Sequence, residues 1–407
     1  MSFRFLSLLS LLAFATSAWA GRVAFSVDGT AGYALTHNPT LAAARLRIEE
    51  ARGRLQQSGR LSNPELELNL ARNTRGPEGF AAIALQQRFP LTARLRHEKA
   101  VSRAELAAAE AEVRDAQRRL AADVRSAAVR LLALGGQRTL RATQLGNTRE
   151  LFSFLLKRVQ TGEASPVDAS QVELESRQIE LENLQLEADT AVLLGTLRPL
   201  LGLAGADPIV ITGALPAPEP PPMSQAVAGR PDILAAQSRA EAARSFVLEQ
   251  RARRWGDFGL GVSYTRDRFL DLPDPVATDQ IVGFRFSFPL PLWNDNSGRI
   301  REAEAASART EQELQATQVT AQAEVAAARD AQHAYARLIA TLDDQVLPAA
   351  LRIEEQLRQS YATGQTPLTD VLRARSRRLT LERQRLDALR DYHLAHIRHT
   401  AALGPQP

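Results

Sequence analysis

Four short stretches of the chain alternate apolar and polar residues with a period of two. In Glu65-Leu66-Glu67-Leu68-Asn69-Leu70 every leucine falls on one face, and Ala81 to Phe89 is a second, less regular run. Phe258, Leu260, Val262 and Tyr264 alternate with Gly259, Gly261, Ser263 and Thr265. Val282, Phe284, Phe286 and Phe288 alternate with Gly283, Arg285 and Ser287. This pattern predicts strands with one apolar and one polar face. The connections Asn73 to Gly79, with Gly-Pro, and Arg266 to Gln280, rich in Asp and Pro, have turn compositions and pair the strands into hairpins over 64–90 and 256–290. Arg285 inside an aromatic strand fits a face that looks into water. Tilted strands of about ten residues cross a bilayer, but an open sheet edge is forbidden there and known barrels begin at about eight strands. Four strands per chain therefore demand oligomerisation if they face lipid, and three copies would supply about twelve, inside the barrel range. The alternative is a small soluble sheet packed on helices.

Long helical stretches follow each hairpin, from about Thr92 to Gln160 and about Ser297 to Tyr361, dominated by Ala, Glu, Arg, Gln and Leu. Either would extend roughly 100 Å if unbroken. Gly146 and Pro348 fall at matching positions and predict a kink in both; Gly135-Gly136 is a further weak point. Shorter helices run from Asn38 to about Ser62 and Pro231 to about Arg254, and return helices from Val167 to about Leu201 and Leu368 to about Leu403. The order is thus duplicated: repeat 1 over 21–203, repeat 2 over 230–407, and between them a linker or equatorial segment, 204–229, with the Pro-rich run Pro216 to Pro222. Leu201-Gly202 answers to Leu403-Gly404, and Thr161-Gly162 to Thr363-Gly364.

Residues 1–20 read as a secretory signal peptide: Arg4, then apolar Phe5 to Ala15, then Ala18-Trp19-Ala20 before Gly21. The chain has no cysteine, so disulfides, thiolate metal sites and an N-terminal lipid anchor on cysteine are not expected. A formal charge of +4 over 407 residues is weak, and arginines interleave with acids on helical faces, so nucleic acid is a poor partner.

The duplicated order, Phe89-Pro90-Leu91 and Phe288-Pro289-Leu290-Pro291-Leu292-Trp293 at strand-to-helix junctions, and the paired Thr-Gly turns together resemble the TolC-type outer membrane efflux proteins. Asn38-Pro39, Ser62-Asn63-Pro64-Glu65-Leu66 and Gly229-Arg230-Pro231-Asp232 look most like its heavy-metal branch, the CzcC- and CusC-like proteins. The resemblance implies a mainly α chain contributing four strands to a transmembrane β-barrel: a homotrimer whose twelve-stranded barrel sits in outer membrane lipid above an α-helical periplasmic cylinder. It implies passive conduction with a periplasmic adaptor and an inner-membrane pump of RND type. No catalytic group or cofactor is then required. A periplasmic or secreted helical scaffold that never spans a membrane is the alternative.

In that reading the turns are periplasmic tips. Leu151, Leu155 and Val159 before the first, and Ile353, Leu357 and Tyr361 before the second, predict coiled-coil stripes. Thr161, Gly162 and Ser165, with Thr363, Gly364 and Thr366, are the expected docking residues. As local structure, the glycines end one helix while Ser165-Pro166 and Thr366-Pro367 cap the next, Ser165 and Asp168 fitting a capping box. Asp168 and Asp370 are candidate entrance carboxylates, with Arg373 one turn beyond Asp370 where some relatives carry a second acid. Measured from the prolines, the two acids stand one residue apart, which suggests distinct inner and outer hairpins. His393, His396 and His399 are half of the six histidines and lie at i, i+3 spacing, which allows a metal site or a solvated ladder. With two methionines, one at position 1, the chain has no soft-metal relay, and its residues do not identify a cargo.

Overall fold

The computed structural model of the chain describes residues 23–204, 209–219, 227, 229–270 and 276–404. The expected leader, 1–20, lies outside them, as does part of the Pro-rich run. In order the elements are β1 (Val23–Phe25), α1 (Val27–His37), α2 (Pro39–Gln57), β2 (Glu65–Arg72), β3 (Gly79–Phe89), α3 (Arg94–Gln160), α4 (Pro166–Leu201), β4 (Ile209–Ile211), α5 (Pro231–Ala252), β5 (Phe258–Phe269), β6 (Ala277–Ser287), α6 (Ser297–Thr341), α7 (Leu347–Ala362) and α8 (Leu368–Leu403). A five-residue π turn, Leu342–Val346, joins α6 to α7.

Of the two expected irregularities, only the second copy shows one, a π turn. Helix α3 runs its 67 residues, about 100 Å, without a break through Gly135, Gly136 and Gly146. Glycine lowers helix propensity but removes no hydrogen bond. Pro348 has no N–H to give the carbonyl one turn back, and its ring presses on that carbonyl, so the chain widens into the π turn just upstream.

Each repeat closes on itself by the same device. Asn38 caps α2, its Oδ1 accepting from the Leu41 N–H (2.8 Å), while its Nδ2 donates to the Leu200 carbonyl at the end of α4 (2.9 Å). In the second copy Arg230 precedes α5 and reaches the Ala402 carbonyl near the end of α8 (3.4 Å). Gly202 (φ +71°) and Gly404 (φ +80°) end the return helices in the left-handed region, where glycine is favoured. A Cβ on Gly202 would run into the His37 carbonyl, and one on Gly404 would lie 3.2 Å from Arg230 Cα. The recurring Leu-Gly pair is therefore a close approach of one helix end to the start of another.

Arg230 is almost fully buried, so its charge must be matched. Asp232 accepts from its Nε (2.9 Å) and Nη2 (2.8 Å), and Glu324 of α6 lies 2.6 Å from Nη2. Asp232 also meets Arg118 of α3 at 3.8 Å, so the cluster ties both repeats together. Helices α3 and α5 pack over alanines such as Ala104, Ala108, Ala235 and Ala242, all buried, whose small side chains let the helix axes approach.

Two short strands hid in segments without alternation. Strand β1 pairs in parallel with β4, Val23 opposite Ile209 and Phe25 opposite Ile211. Phe25 and Ile209 pack on Val124, Leu197 and Leu201, so the inter-repeat segment is partly structured.

The hairpins form one antiparallel sheet in the order β2-β3-β5-β6. Its register lines up Leu66, Leu85, Val262 and Phe284 in one row and Leu68, Ile83, Tyr264 and Val282 in the next. The opposite face carries the rows Glu65, Gln86, Gly261, Arg285 and Glu67, Ala84, Ser263, Gly283. None of the described residues covers the apolar face: Leu66, Leu68, Leu70, Phe284 and Phe286 are 62–85% exposed. Strands β2 and β6 each leave one edge unpaired.

Arg230→Met should lower stability by about 3 kcal/mol, because it strands Asp232 without its buried partner; thermal melting followed by far-UV circular dichroism measures it.

Candidate functional site

Helices α3 and α4 form one hairpin, α7 and α8 another, and their tips share a core. Leu155, Ala169, Val172 and Leu368 are buried together, with Leu151, Val159, Tyr361 and Leu372 packed around them. The first predicted stripe is therefore a seam. The second is only partly so, because Ile353 is 52% exposed on α7.

The two turns match atom for atom at their glycines. The Gly162 N–H donates to Val159 O (3.1 Å) and Glu163 N–H to Arg158 O (2.8 Å); Gly364 donates to Tyr361 O (3.0 Å) and Gln365 to Ser360 O (2.9 Å). These are Schellman caps with glycine at φ +75° and +73°. Thr161 and Thr363 reinforce them, their hydroxyls donating to Arg158 O (3.1 Å) and Ser360 O (3.0 Å). Thr161, Gly162, Thr363 and Gly364 are all exposed, and a Cβ on either glycine would meet nothing within 4 Å.

Beyond the glycines the copies diverge. Ser165 is the N-cap of α4 and accepts from the Val167 N–H (3.2 Å), not from Asp168, so it caps the helix without forming the expected capping box. Thr366 is not a cap. Pro367 occupies the N-cap of α8, and the Thr366 hydroxyl turns back to the Leu357 carbonyl (3.5 Å). This corrects the reading of the acids. With Pro166 inside α4 and Pro367 outside α8, Asp168 and Asp370 both stand third in their helices, so the inferred one-residue offset does not exist. Both complement the partial positive charge of a helix N-terminus.

Asp370 pairs with Arg373 at 3.0 Å, and Arg373 is 80% exposed, so the pair is a surface one worth at most about 1 kcal/mol. Arg373 also lines a polar cleft of about 360 Å³ between the two hairpins, together with Arg141, Glu175, Glu182 and Arg383. There Arg141 pairs with Glu182 at 2.5 Å and holds Gln144 at 2.8 Å. Burial raises the Glu175 carboxyl above its ordinary range, opposed by Arg375. The signal for this cleft was the heptad spacing of Glu175 and Glu182, which sequence reading passed over.

The histidine ladder is a structural network. Gln332, fully buried on α6, donates from Nε2 to Tyr392 Oη (3.1 Å) and to His396 Nδ1 (3.1 Å), and accepts at Oε1 from His399 Nδ1 (3.2 Å). Tyr392 donates to the Glu219 carbonyl and His393 Nε2 to Pro216 O (2.9 Å), which fastens the Pro-rich segment to α8. Because the Gln332 oxygen can only accept, the His399 proton sits on Nδ1, and its buried Nε2 has no partner among the described residues.

Residues 31–203 and 223–405 match the family model described as outer membrane efflux protein. Solved structures share the fold. CusC superposes with a TM-score of 0.76 at 20% identity, over 94% of this chain and 92% of its own. The Vibrio cholerae outer membrane protein VceC gives 0.75 at 22% identity, over 93% and 96%. The Campylobacter jejuni outer membrane channel CmeC gives 0.77 at 16%, over 93% and 85%. A search of the curated proteins finds no match.

Burial holds the His399 imidazole below its ordinary pKa, with His396, Arg329 and His333 acting in the same direction. The unfolded chain therefore takes up this proton more readily than the folded one. Stability should be full above about pH 6.5 and fall as the pH drops below it. Melting temperatures measured from neutral to mildly acidic pH should decline, and His399→Gln should flatten that decline.

Proposed function

The chain belongs to the outer membrane efflux protein family, and on that footing we propose that it is the outer-membrane channel of a tripartite efflux system. Three copies pair β6 of one with β2 of the next, closing twelve strands into a barrel whose apolar face meets lipid and whose Glu65, Glu67 and Arg285 face lines water. The long hairpins below it form a periplasmic cylinder. Conduction is passive, and the energy comes from an inner-membrane pump of RND type.

The observation that carries this reading is the exposed apolar sheet with two unpaired edges. In water such a face favours aggregation, and in lipid the open edges leave backbone groups unsatisfied. A closed ring of copies in a bilayer removes both costs. A scaffold outside the membrane has no use for this sheet.

Docking of a periplasmic adaptor belongs at the tips, where Thr161, Gly162, Thr363 and Gly364 are exposed in matching caps, with Ser165 and Thr366 setting the following turns. Asp168, Asp370 and Arg373 stand at the pore entrance, with the charged cleft between hairpins beside them. Cargo choice rests with the pump. The likeness of Gly229-Arg230-Pro231-Asp232 to the heavy-metal branch favours cations.

Fractionation should place the protein in the outer membrane. Single cysteines on β2 and β6, introduced into this cysteine-free chain, should give disulfide-linked trimers. A soluble monomer would sink the proposal. At the tip, Gly364→Leu should impair efflux while trimers persist. Gly364→Asn, which tolerates the left-handed backbone, separates loss of the turn from loss of the open surface. Unchanged efflux in Gly364→Leu would count against docking there.

A further inference from the structure

The apolar face of the sheet does not end in neutral residues. Beyond the row of Leu68, Ile83, Tyr264 and Val282, the next row on the same face is Leu70, Ala81, Arg266 and Gln280, and the last is Arg72, Gly79, Arg268 and Thr278. The burial pattern of β5 confirms the facing: Val262, Tyr264, Arg266 and Arg268 are exposed in alternation with half-buried Ser263, Thr265 and Asp267. Arg72 is exposed as well. Three arginines thus stand on the face assigned to lipid, at the end farthest from the helices, and none has an ion-pair partner among the described residues.

Their spacing leaves a recess. Arg72 and Arg268 are separated by one strand, so their backbones lie roughly 10 Å apart. The residue between them is Gly79, and the one below it is Ala81. Glycine is required at 79, because a Cβ there would lie 2.7 Å from the Ala71 carbonyl. The floor is therefore nearly free of side chains, with Arg72, Arg266 and Arg268 around it in the register and Thr278 and Gln280 beside them. Guanidinium forks suit phosphate oxygens in geometry and charge.

The height of the recess is also telling. At the opposite end of the face the strands finish in aromatics: Phe89 stacks on Phe258 (ring centroids 5.7 Å apart), and Trp255 stacks on Phe288 (6.2 Å). From Phe258 to Arg268, at about 3.4 Å per residue and a tilt of ~40°, the rise is about 26 Å, close to the ~25 Å apolar band of outer-membrane barrels. With the aromatic row at the inner boundary, the arginines fall at the outer headgroups.

We propose that Arg72, Arg266 and Arg268, set around Gly79 and Ala81, form a binding site on the outside of the barrel for the phosphates of lipopolysaccharide, the phosphorylated and acylated glycolipid of the outer leaflet. Its acyl chains lie on Leu68, Ile83, Tyr264, Val282 and Phe284, directly below the recess. Three cations around one recess match a ligand bearing more than one phosphate better than a single phosphodiester. The site rests on the channel reading above, since it requires this face to meet lipid.

The test uses the full-length trimer in detergent micelles, titrated with bisphosphorylated lipid A, with the same molecule after phosphatase treatment, and with phosphatidylglycerol. The wild type should bind bisphosphorylated lipid A in preference to both others. Arg72→Gln, Arg266→Gln and Arg268→Gln combined should weaken that binding about tenfold or more, which is ~1.4 kcal/mol or more. Conductance of the triple variant in planar bilayers should match the wild type, showing that the barrel is intact. Equal binding by the triple variant, or equal binding of the dephosphorylated lipid, would overturn the site, as would a preference for phosphatidylglycerol. Failure of the wild type itself to insert into bilayers is read separately: it overturns the channel reading, and the lipid site with it.

Discussion

A backbone N–H or C=O exposed to hydrocarbon costs several kcal/mol, and the architecture of this chain follows from that penalty. Its sheet has four strands, too few to close, and its edge strands β2 and β6 are separated in sequence by more than a full repeat. The strands become acceptable to a bilayer only when copies supply one another's missing partners. Assembly and insertion are therefore one problem for this protein, and the helices below hold each sheet at the geometry that lets its edges meet.

That rigidity comes from joints more than from a large apolar core. The helices bury alanines, and their outer faces carry ion pairs that are mostly exposed and individually weak. The strong points are few and polar. Asn38 and Arg230 lock the start of each repeat to the end of its return helix, and Gln332 distributes three hydrogen bonds among Tyr392, His396 and His399. A duplicated protein closed twice by unlike residues, an amide in one copy and a guanidinium in the other, has kept the contact while changing its chemistry.

Much of this was legible in the residues because it repeats or alternates. The leucines of β2 and the phenylalanines of β6 announce their faces, and Gly162 and Gly364 announce the turns. What was not legible depends on distance or on count. Strands β1 and β4 have three residues each, too few for any period to show, and they exist because they pair across the whole first repeat. Pro367 reads like Pro166, yet it stands one residue closer to its glycine in a loop of equal length, which puts it at the cap and not inside the helix. Counted from Gly162 and Gly364 instead of from the prolines, Asp168 and Asp370 stand at the same offset, and the folded turns place both third in their helices. The arginines at the outer end of the sheet were visible as letters, but their facing required the register.

The π turn at Leu342–Val346 has a consequence for the far end of the molecule. A π turn accommodates one residue more than an α turn, which rotates everything downstream by about 100° about the helix axis. Helix α3 has no such insertion, so hairpins that match at their glycines present different sides of their shafts. In a ring of three copies the six hairpins would therefore alternate between two kinds of shaft. The two repeats therefore share the geometry of their tips while their shafts differ, and Pro348 marks where they part.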